Sequence, residues 1–161
     1  MKKLPFYLKI VSFVLLIFIW DYIFMNYRDL PLSVPIHFDW DRKPNFYVPR
    51  IMIWLLAGFA TFIYLLIFYL IKNINSPMLK MPHNIKEDTM KAERIVSVFH
   101  LIIMLILTVI TYESIAVALE KNDVVSPVTN YLIVVLFLGI IVMMVYSYFI
   151  SKRPISQNPL N

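Results

Sequence analysis

The residues with the clearest chemical potential are His37, Asp39 and Asp41, which alternate along one short polar segment. Imidazole and carboxylate groups together suit zinc or manganese. In an extended strand these three side chains would share one face, but they would leave a metal without a defined fourth ligand, and one short loop rarely closes such a site alone. We therefore expect no metal site and expect His37 to donate hydrogen bonds to carbonyl groups of its own loop. A role of His37 as a metal ligand or in pH sensing is the alternative.

Two acids, Asp21 and Glu113, form a second candidate group, because each lies inside a long apolar run. Each precedes the end of its run by six residues, which corresponds to a depth of about 9 Å in a helix. Carboxylates in a bilayer are costly and usually face the bundle interior, a water-filled cavity or a partner charge. Arg28 and Arg50 are candidate counter-ions, since long basic side chains can snorkel. We favour a structural clamp that joins the loop to the helices, and the alternative is an outward-open polar pocket capped by the loop.

A third titratable group, His100, lies near the start of the third apolar run. We expect a satisfied or interfacial histidine there, because it is close enough to the headgroups to be hydrated. On a helix it shares a side with a polar stripe that should face the other helices, namely Ser97, Met104, Thr108 and Thr111.

The usual signatures of enzymes are missing. Two glycines in total are too few for a phosphate-cradling loop, and the absence of cysteine excludes a thiol nucleophile and disulfides. The sequence also lacks a His-Glu-x-x-His motif and a nucleophile elbow. We expect no catalysis and no cofactor.

The elements that must position these residues are membrane helices. Hydrophobic residues make up 60% of the 161 residues and charged residues only 16%, against about a quarter in soluble domains, and the mean hydropathy is +0.73. Each apolar run has the roughly 20 residues that a helix needs to cross a bilayer. We predict an all-α membrane protein, a bundle of four transmembrane helices in a single membrane domain over 1–161. The predicted spans are about 6–27, 51–71, 95–119 and 128–150.

The basic residues predict which way the chain crosses. Ten of the fifteen lysines and arginines lie near the N-terminus, in the connection 72–94 or after the last run, and five lie on the other two connections. By the positive-inside rule, both termini and 72–94 are cytoplasmic and the loop 28–50 faces outward. The net charge of +5 is thereby explained without a nucleic-acid partner. The lipid bilayer is the expected environment.

Two connections carry signals of their own. Prolines at 31, 35, 44 and 49 exclude a regular helix from the loop 28–50 and bias the preceding residues toward extended backbone. We expect an ordered loop folded over the mouth of the bundle. In the connection 72–94, Asn84 and Glu87 have the spacing of a capping box, which predicts that a helix leading into the third span starts there.

The outer loop resembles a known family. Leu-Pro at 30–31, Val-Pro-Ile-His-Phe-Asp at 34–39, Pro-Asn at 44–45 and Tyr47 are similar to the signature of the bacterial membrane family called domain of unknown function 1648. The resemblance covers about residues 10 to 70, and the family includes relatives of the immunity protein against the sporulation-delaying peptide toxin. It implies a multi-pass protein of the bacterial plasma membrane. This chain has Asp41 to Lys43 where the family usually has glycine, so its turn must either form without glycine's freedom at positive φ or have a different shape.

These features favour a non-enzymatic binding protein of the signalling or immunity type, with a peptide or a membrane protein as a possible partner. The alternatives are a small proton-coupled transporter or transporter subunit that uses Asp21 and Glu113, and a structural subunit that packs against other membrane proteins. Four helices without paired breaks are few for a transporter. The candidate binding residues are His37, Asp39, Asp21, Glu113, Arg28 and Arg50.

Overall fold

The protein is mostly helical, with one small sheet. A computed structural model describes residues 3–39, 41–121 and 125–151. Four helices are long and apolar enough to cross a membrane, which agrees with the predicted helical fold and with four spans. In chain order the elements are α1 (Lys3–Asn26), β1 (Ser33–Phe38), β2 (Pro44–Pro49), a 3-10 turn (Arg50–Met52), α2 (Ile53–Lys72), α3 (His83–Lys86), α4 (Thr89–Ala118) and α5 (Val128–Ser151).

Helix α4 is the centre of the bundle. It packs against α1, α2, α5 and strand β1, with its most extensive contact on α1. Its buried side includes Ser97, His100, Met104 and Thr111, so the polar stripe predicted from the sequence does face other helices. Small buried residues such as Ala57 and Ala60 on α2 allow close helix approach where lipid provides no hydrophobic driving force. Helix α5 lies at the edge, and none of its described side chains is buried.

The prediction of an all-α fold is wrong for the connection between α1 and α2. Strands β1 and β2 pair as an antiparallel hairpin, with Val34 opposite Val48 and His37 opposite Phe46. The prolines explain this shape, because they exclude helix and favour extended backbone in the residues before them. The register shifts on both sides of His37, next to Pro35, which has no N–H for a regular ladder.

The hairpin packs onto one end of the bundle, which we call the hairpin end. Leu30 and Val34 are buried in the same apolar cluster as Ile23 of α1, Ile53 of α2 and Ile115 of α4. Burying a valine side chain from water contributes about 1.5–3 kcal/mol. The expected ordered loop over the bundle mouth is therefore present, and its fold is a hairpin.

The opposite end of the bundle has a separate apolar cluster that includes Ile71, Ile85 and Val96. Helix α4 begins at Thr89, with Asp88 as its N-cap: the Asp88 side chain accepts a hydrogen bond from the Lys91 N–H at 3.1 Å. The prediction that Asn84 starts this helix is wrong, because α3 ends at Lys86. The cap of α4 is supplied by Asp88, four residues after Asn84.

Candidate functional site

Glu113 is the one acid of the bundle that is buried in the described part of the chain, with only 5% of its surface exposed. Helix α4 places it near the hairpin end, on the side that faces the start of α5. Its oxygen Oε1 accepts hydrogen bonds from the backbone N–H of Ser126 at 3.0 Å and from the Ser126 hydroxyl. Its oxygen Oε2 accepts from the Thr129 hydroxyl at 3.3 Å. The carboxylate is therefore held by neutral donors at a helix N-terminus, where negative charge is favoured.

No ion pair neutralises Glu113 among the residues that the structure describes. A buried carboxylate normally needs a partner charge or a full set of hydrogen bonds. Each carboxylate oxygen can accept about two hydrogen bonds, so Oε2, with a single donor at 3.3 Å, retains capacity for another. The site thus combines a buried carboxylate with an acceptor position that no described residue fills.

A cavity of about 220 Å³ lies beside Glu113, between the hairpin and the ends of α4 and α5. We call it the Glu113 pocket. Its apolar floor includes Ile110 and Ile133, and its polar lining consists of His37, Asp39, Arg42, Glu113, Ser126, Thr129 and Asn130. Three of the predicted site residues, namely His37, Asp39 and Glu113, therefore share one cavity.

The tip of the hairpin is fastened to the segment that precedes α5. The Val125 N–H donates to the Arg42 carbonyl at 3.1 Å, and the Arg42 guanidinium lies 3.5 Å from the Val125 carbonyl. Arg42 adopts φ 65°, a left-handed conformation that is unfavourable for a residue with a side chain. The turn therefore adopts positive φ without glycine, at Arg42.

His37 and Asp39 stabilise the hairpin as well as lining the pocket. The Nδ1 atom of His37 lies 2.6 Å from the Asn45 side-chain oxygen across the strands, so the predicted bonds to loop carbonyls are replaced by a side-chain partner. Asp39 accepts a hydrogen bond from the Lys43 N–H at 2.9 Å and closes the turn. Strand β1 ends at Phe38, so His37, Asp39 and Asp41 do not share a strand face. No group of three potential metal ligands occurs in the described residues.

Asp21 is not part of this pocket. The rings of Tyr22 and Tyr112 lie 5.4 Å apart, so their neighbours Asp21 and Glu113 are at similar heights along the bundle, as the sequence predicts. Asp21 is nevertheless exposed and lines a groove on α1 and α2, whereas Glu113 faces α5. A shared acidic cluster is therefore the wrong description of these two residues.

Arg28 and Arg50, the predicted counter-ions, form no ion pair with Asp21 or Glu113. The Arg50 guanidinium donates to the Leu30 carbonyl at 3.3 Å and stacks over the Tyr27 ring at 5.4 Å. It therefore fastens the base of the hairpin, a structural role. Arg28 is exposed just beyond α1 and makes no ion pair with a described residue.

Sequence reasoning missed Arg42, Ser126, Thr129 and Asn130. Ser126 and Thr129 flank the start of α5, and hydroxyl residues at a helix start are a recognisable capping signal. That signal does not indicate which distant acid the hydroxyls will meet. Arg42 has no comparable signal, because its contribution depends on the hairpin.

His100 is a separate polar feature of the core. Its side chain is fully buried, its ring lies 5.0 Å from that of Tyr64, and neither ring nitrogen has a hydrogen-bond partner in the described structure. The prediction of a satisfied or interfacial histidine is therefore wrong. Its position on the central side of α4 explains the burial.

Comparisons with protein-family models, with curated proteins and with solved structures found no match to this chain. The resemblance of the 30–50 loop to domain of unknown function 1648 therefore stays a prediction.

Proposed function

We propose that this protein is a non-enzymatic membrane binding protein whose Glu113 pocket takes up a cationic group of a ligand or membrane partner on the extracytoplasmic side. The observation that carries the proposal is a buried carboxylate, held by neutral donors and without an ion-pair partner among the described residues, beside a cavity. A cation that enters the cavity supplies the missing charge.

The size of the pocket limits what can enter. At about 220 Å³ it is smaller than the roughly 300–1,000 Å³ of pockets that enclose a drug-sized ligand. It suits one group of a larger molecule, such as a lysine side chain or the terminal amine of a peptide. The rest of that molecule would contact the hairpin, where His37, Asp39 and Arg42 line the pocket. The positive charge of Arg42 favours a ligand that carries an anionic group next to the bound amine.

The signalling or immunity version of this proposal depends on the family resemblance. In that version the ligand is a peptide toxin or a membrane protein that presents an amine at the hairpin end. The bacterial plasma membrane is the proposed location on the same grounds.

A proton-coupled transporter, or a subunit of one, is the second candidate. It would need Glu113 to connect with both ends of the bundle. Closer to the middle of α4, Met104 and His100 are fully buried, and the Glu113 pocket has its polar lining at the hairpin end. Asp21 is not beside Glu113, so the pair of acids proposed for proton coupling is separated. This geometry supports binding over transport.

The test uses small probes that match the pocket. We expect n-butylammonium to raise the thermal stability of the purified protein in a saturable manner, while n-butanol and butanoate do not. At ten times Kd the expected stabilisation is about 1.4 kcal/mol. Glu113→Gln should lose the effect because it removes the charge but keeps the shape.

Glu120→Gln provides the matched control, since Glu120 is an exposed acid just beyond the end of α4. This variant should retain the full response to butylammonium. The binding proposal fails if the amine and the alcohol act alike on the wild type, or if Glu113→Gln responds as the wild type does.

A further inference from the structure

The surface around Asp21 is a second unassigned feature. A groove of about 690 Å³ runs along the outside of α1 and is completed by one residue of α2. We call it the Asp21 groove. Asp21 is the single ionisable residue among the described residues that line it, the others being Phe13, Leu16, Ile17, Trp20, Phe24 and Trp54.

Asp21 has no partner within the described part of the chain. It is exposed and takes part in no hydrogen bond or ion pair there, whereas Glu113 at a similar height has three donors. A carboxylate within an apolar span normally faces a partner charge, a cavity or the bundle interior. Because the fold gives Glu113 three hydrogen-bond donors and gives Asp21 none among the described residues, we look outside the chain for the counterpart of Asp21.

The neighbours of Asp21 favour a cation as that counterpart. The rings of Trp20 and Trp54 lie 5.9 Å apart beside it, and tryptophan faces attract ammonium and guanidinium groups. The indole N–H of Trp20 donates to the Thr61 hydroxyl at 3.0 Å, so it is already used. Tryptophan is also typical of the membrane interface, where a lysine or arginine of another helix can extend toward water.

The length of the groove favours a helix as the carrier of that cation. The α1 residues that line it extend from Phe13 to Phe24, which is about 16 Å along the helix axis. An amine of a lipid headgroup would occupy only the end at Asp21. A helix that packs along three turns would cover the aromatic and aliphatic residues as well.

A second copy of this chain does not offer the required charge. Apart from Arg50, the basic residues within its four spans lie toward the opposite end, among them Lys9, Lys72, Lys91 and Arg94. Helix α5 contains no lysine or arginine at all over Val128–Ser151. Near the hairpin end, Arg50 is engaged with Leu30 and Tyr27. The exposed Arg28 lies beyond the end of α1, seven residues after Asp21, and is therefore not at the height of Asp21.

We propose that the Asp21 groove binds a transmembrane helix of a different membrane protein, and that this helix carries a lysine or arginine at the height of Asp21. This inference is independent of the Glu113 pocket, because the two sites share no lining residue.

The experiment measures helix association in vesicles of phosphatidylcholine. The full-length protein and a synthetic 23-residue helix of leucine and alanine carry a fluorescence donor and acceptor. The helix has a lysine six residues from each end, so that either direction of insertion presents one at the height of Asp21. We expect it to bind at least tenfold more tightly than the same helix with leucine or glutamate at those positions.

Asp21→Asn should reduce this preference to less than twofold. Asp29→Asn is the matched control, because Asp29 is an exposed acid just beyond α1, and it should leave the preference intact. Phe24→Ala should weaken the binding of all three synthetic helices without changing the ranking of their affinities.

Three results would overturn the proposal. The first is equal binding of the lysine and leucine helices, and the second is a lysine preference that Asp21→Asn retains. The third is assignment of the groove to another occupant. Self-association that Asp21→Asn abolishes would assign it to a second copy, and loss of the lysine preference on adding phosphatidylethanolamine would assign it to a lipid amine.

Discussion

Asp21 and Glu113 show what a sequence can and cannot predict about single residues in a membrane helix. Their positions along the helix follow from counting, and the Tyr22–Tyr112 contact agrees with that count. The directions in which their side chains point do not follow from counting. Helix α1 is apolar on every side and contains no pattern that distinguishes its faces. Asp21 is two residues from both Ile19 and Ile23, which are fully buried, and at 100° per residue it therefore points away from the core.

The separation of the two acids predicts independent effects on stability. Glu113→Gln should lower the free energy of unfolding by about 1–3 kcal/mol, because it disturbs hydrogen bonds to a buried charge. Asp21→Asn should not lower it, because Asp21 has no partner among the described residues and its charge is costly within an apolar span. The double variant should equal their sum to within about 0.5 kcal/mol.

The measurement is denaturant unfolding of all four proteins in one detergent. A coupling energy above about 1 kcal/mol would contradict the structure and restore the single acidic cluster that the sequence suggests.

Among the elements, the hairpin is the one that sequence reasoning described only in part. The prolines correctly exclude helix from 28–50, and they indicate extended backbone. Pairing of β1 with β2 could not be derived, because neither strand alternates cleanly and the glycine expected in the turn is missing. The turn is made instead by Arg42 at φ 65°.

Arg42→Gly should therefore stabilise the hairpin. Glycine adopts positive φ without steric cost, and relief of the left-handed arginine should contribute about 1 kcal/mol. The lost contact to the Val125 carbonyl is long, at 3.5 Å, and offsets little of this gain. Thermal unfolding monitored at the hairpin should show a higher midpoint.

Lys43→Gly is the control for Arg42→Gly. It lies in the same turn with ordinary φ, so glycine there only adds freedom to the unfolded chain and should destabilise by about 0.5–1 kcal/mol. Equal losses in both variants would show that Arg42 is not strained.

We expect the start of α4 to respond to pH through its cap. Hydrogen bonds from the backbone N–H of Lys91, and then from its side chain, lower the pKa of Asp88 below its usual 3.8. The cap is therefore complete above pH 3.8 and is lost as the pH falls through the lowered pKa. Asp88→Asn keeps an acceptor that does not titrate.

Hydrogen exchange of the Lys91 amide tests this behaviour. Between pH 5 and pH 2 its protection should fall in the wild type and stay constant in Asp88→Asn, after correction for intrinsic exchange. Parallel loss of protection in both proteins would exclude Asp88 as the pH-sensitive cap.

At the scale of the whole molecule, the spans were the most predictable feature. In lipid every backbone donor and acceptor must be paired internally, so an apolar run of about 20 residues becomes a helix whatever its neighbours are. Assembly is less predictable, because lipid-facing and helix-facing residues are equally apolar. The central position of α4 and the peripheral one of α5 follow from contacts that no periodicity in this sequence indicates.

The proposed function of the Glu113 pocket requires that the hairpin end faces outward, and labelling of single cysteines tests this topology. The chain has no cysteine of its own, so Ser33→Cys in the hairpin and Asn75→Cys at the opposite end each create one reactive group. Both positions are exposed. Because the positive-inside rule places 72–94 in the cytoplasm, an impermeant maleimide should label Ser33→Cys on intact cells and Asn75→Cys only after permeabilisation. The reverse labelling pattern would place the Glu113 pocket on the cytoplasmic side, where an extracytoplasmic ligand could not reach it. The charge pairing proposed for Asp21 would still apply, with a partner helix of the opposite orientation.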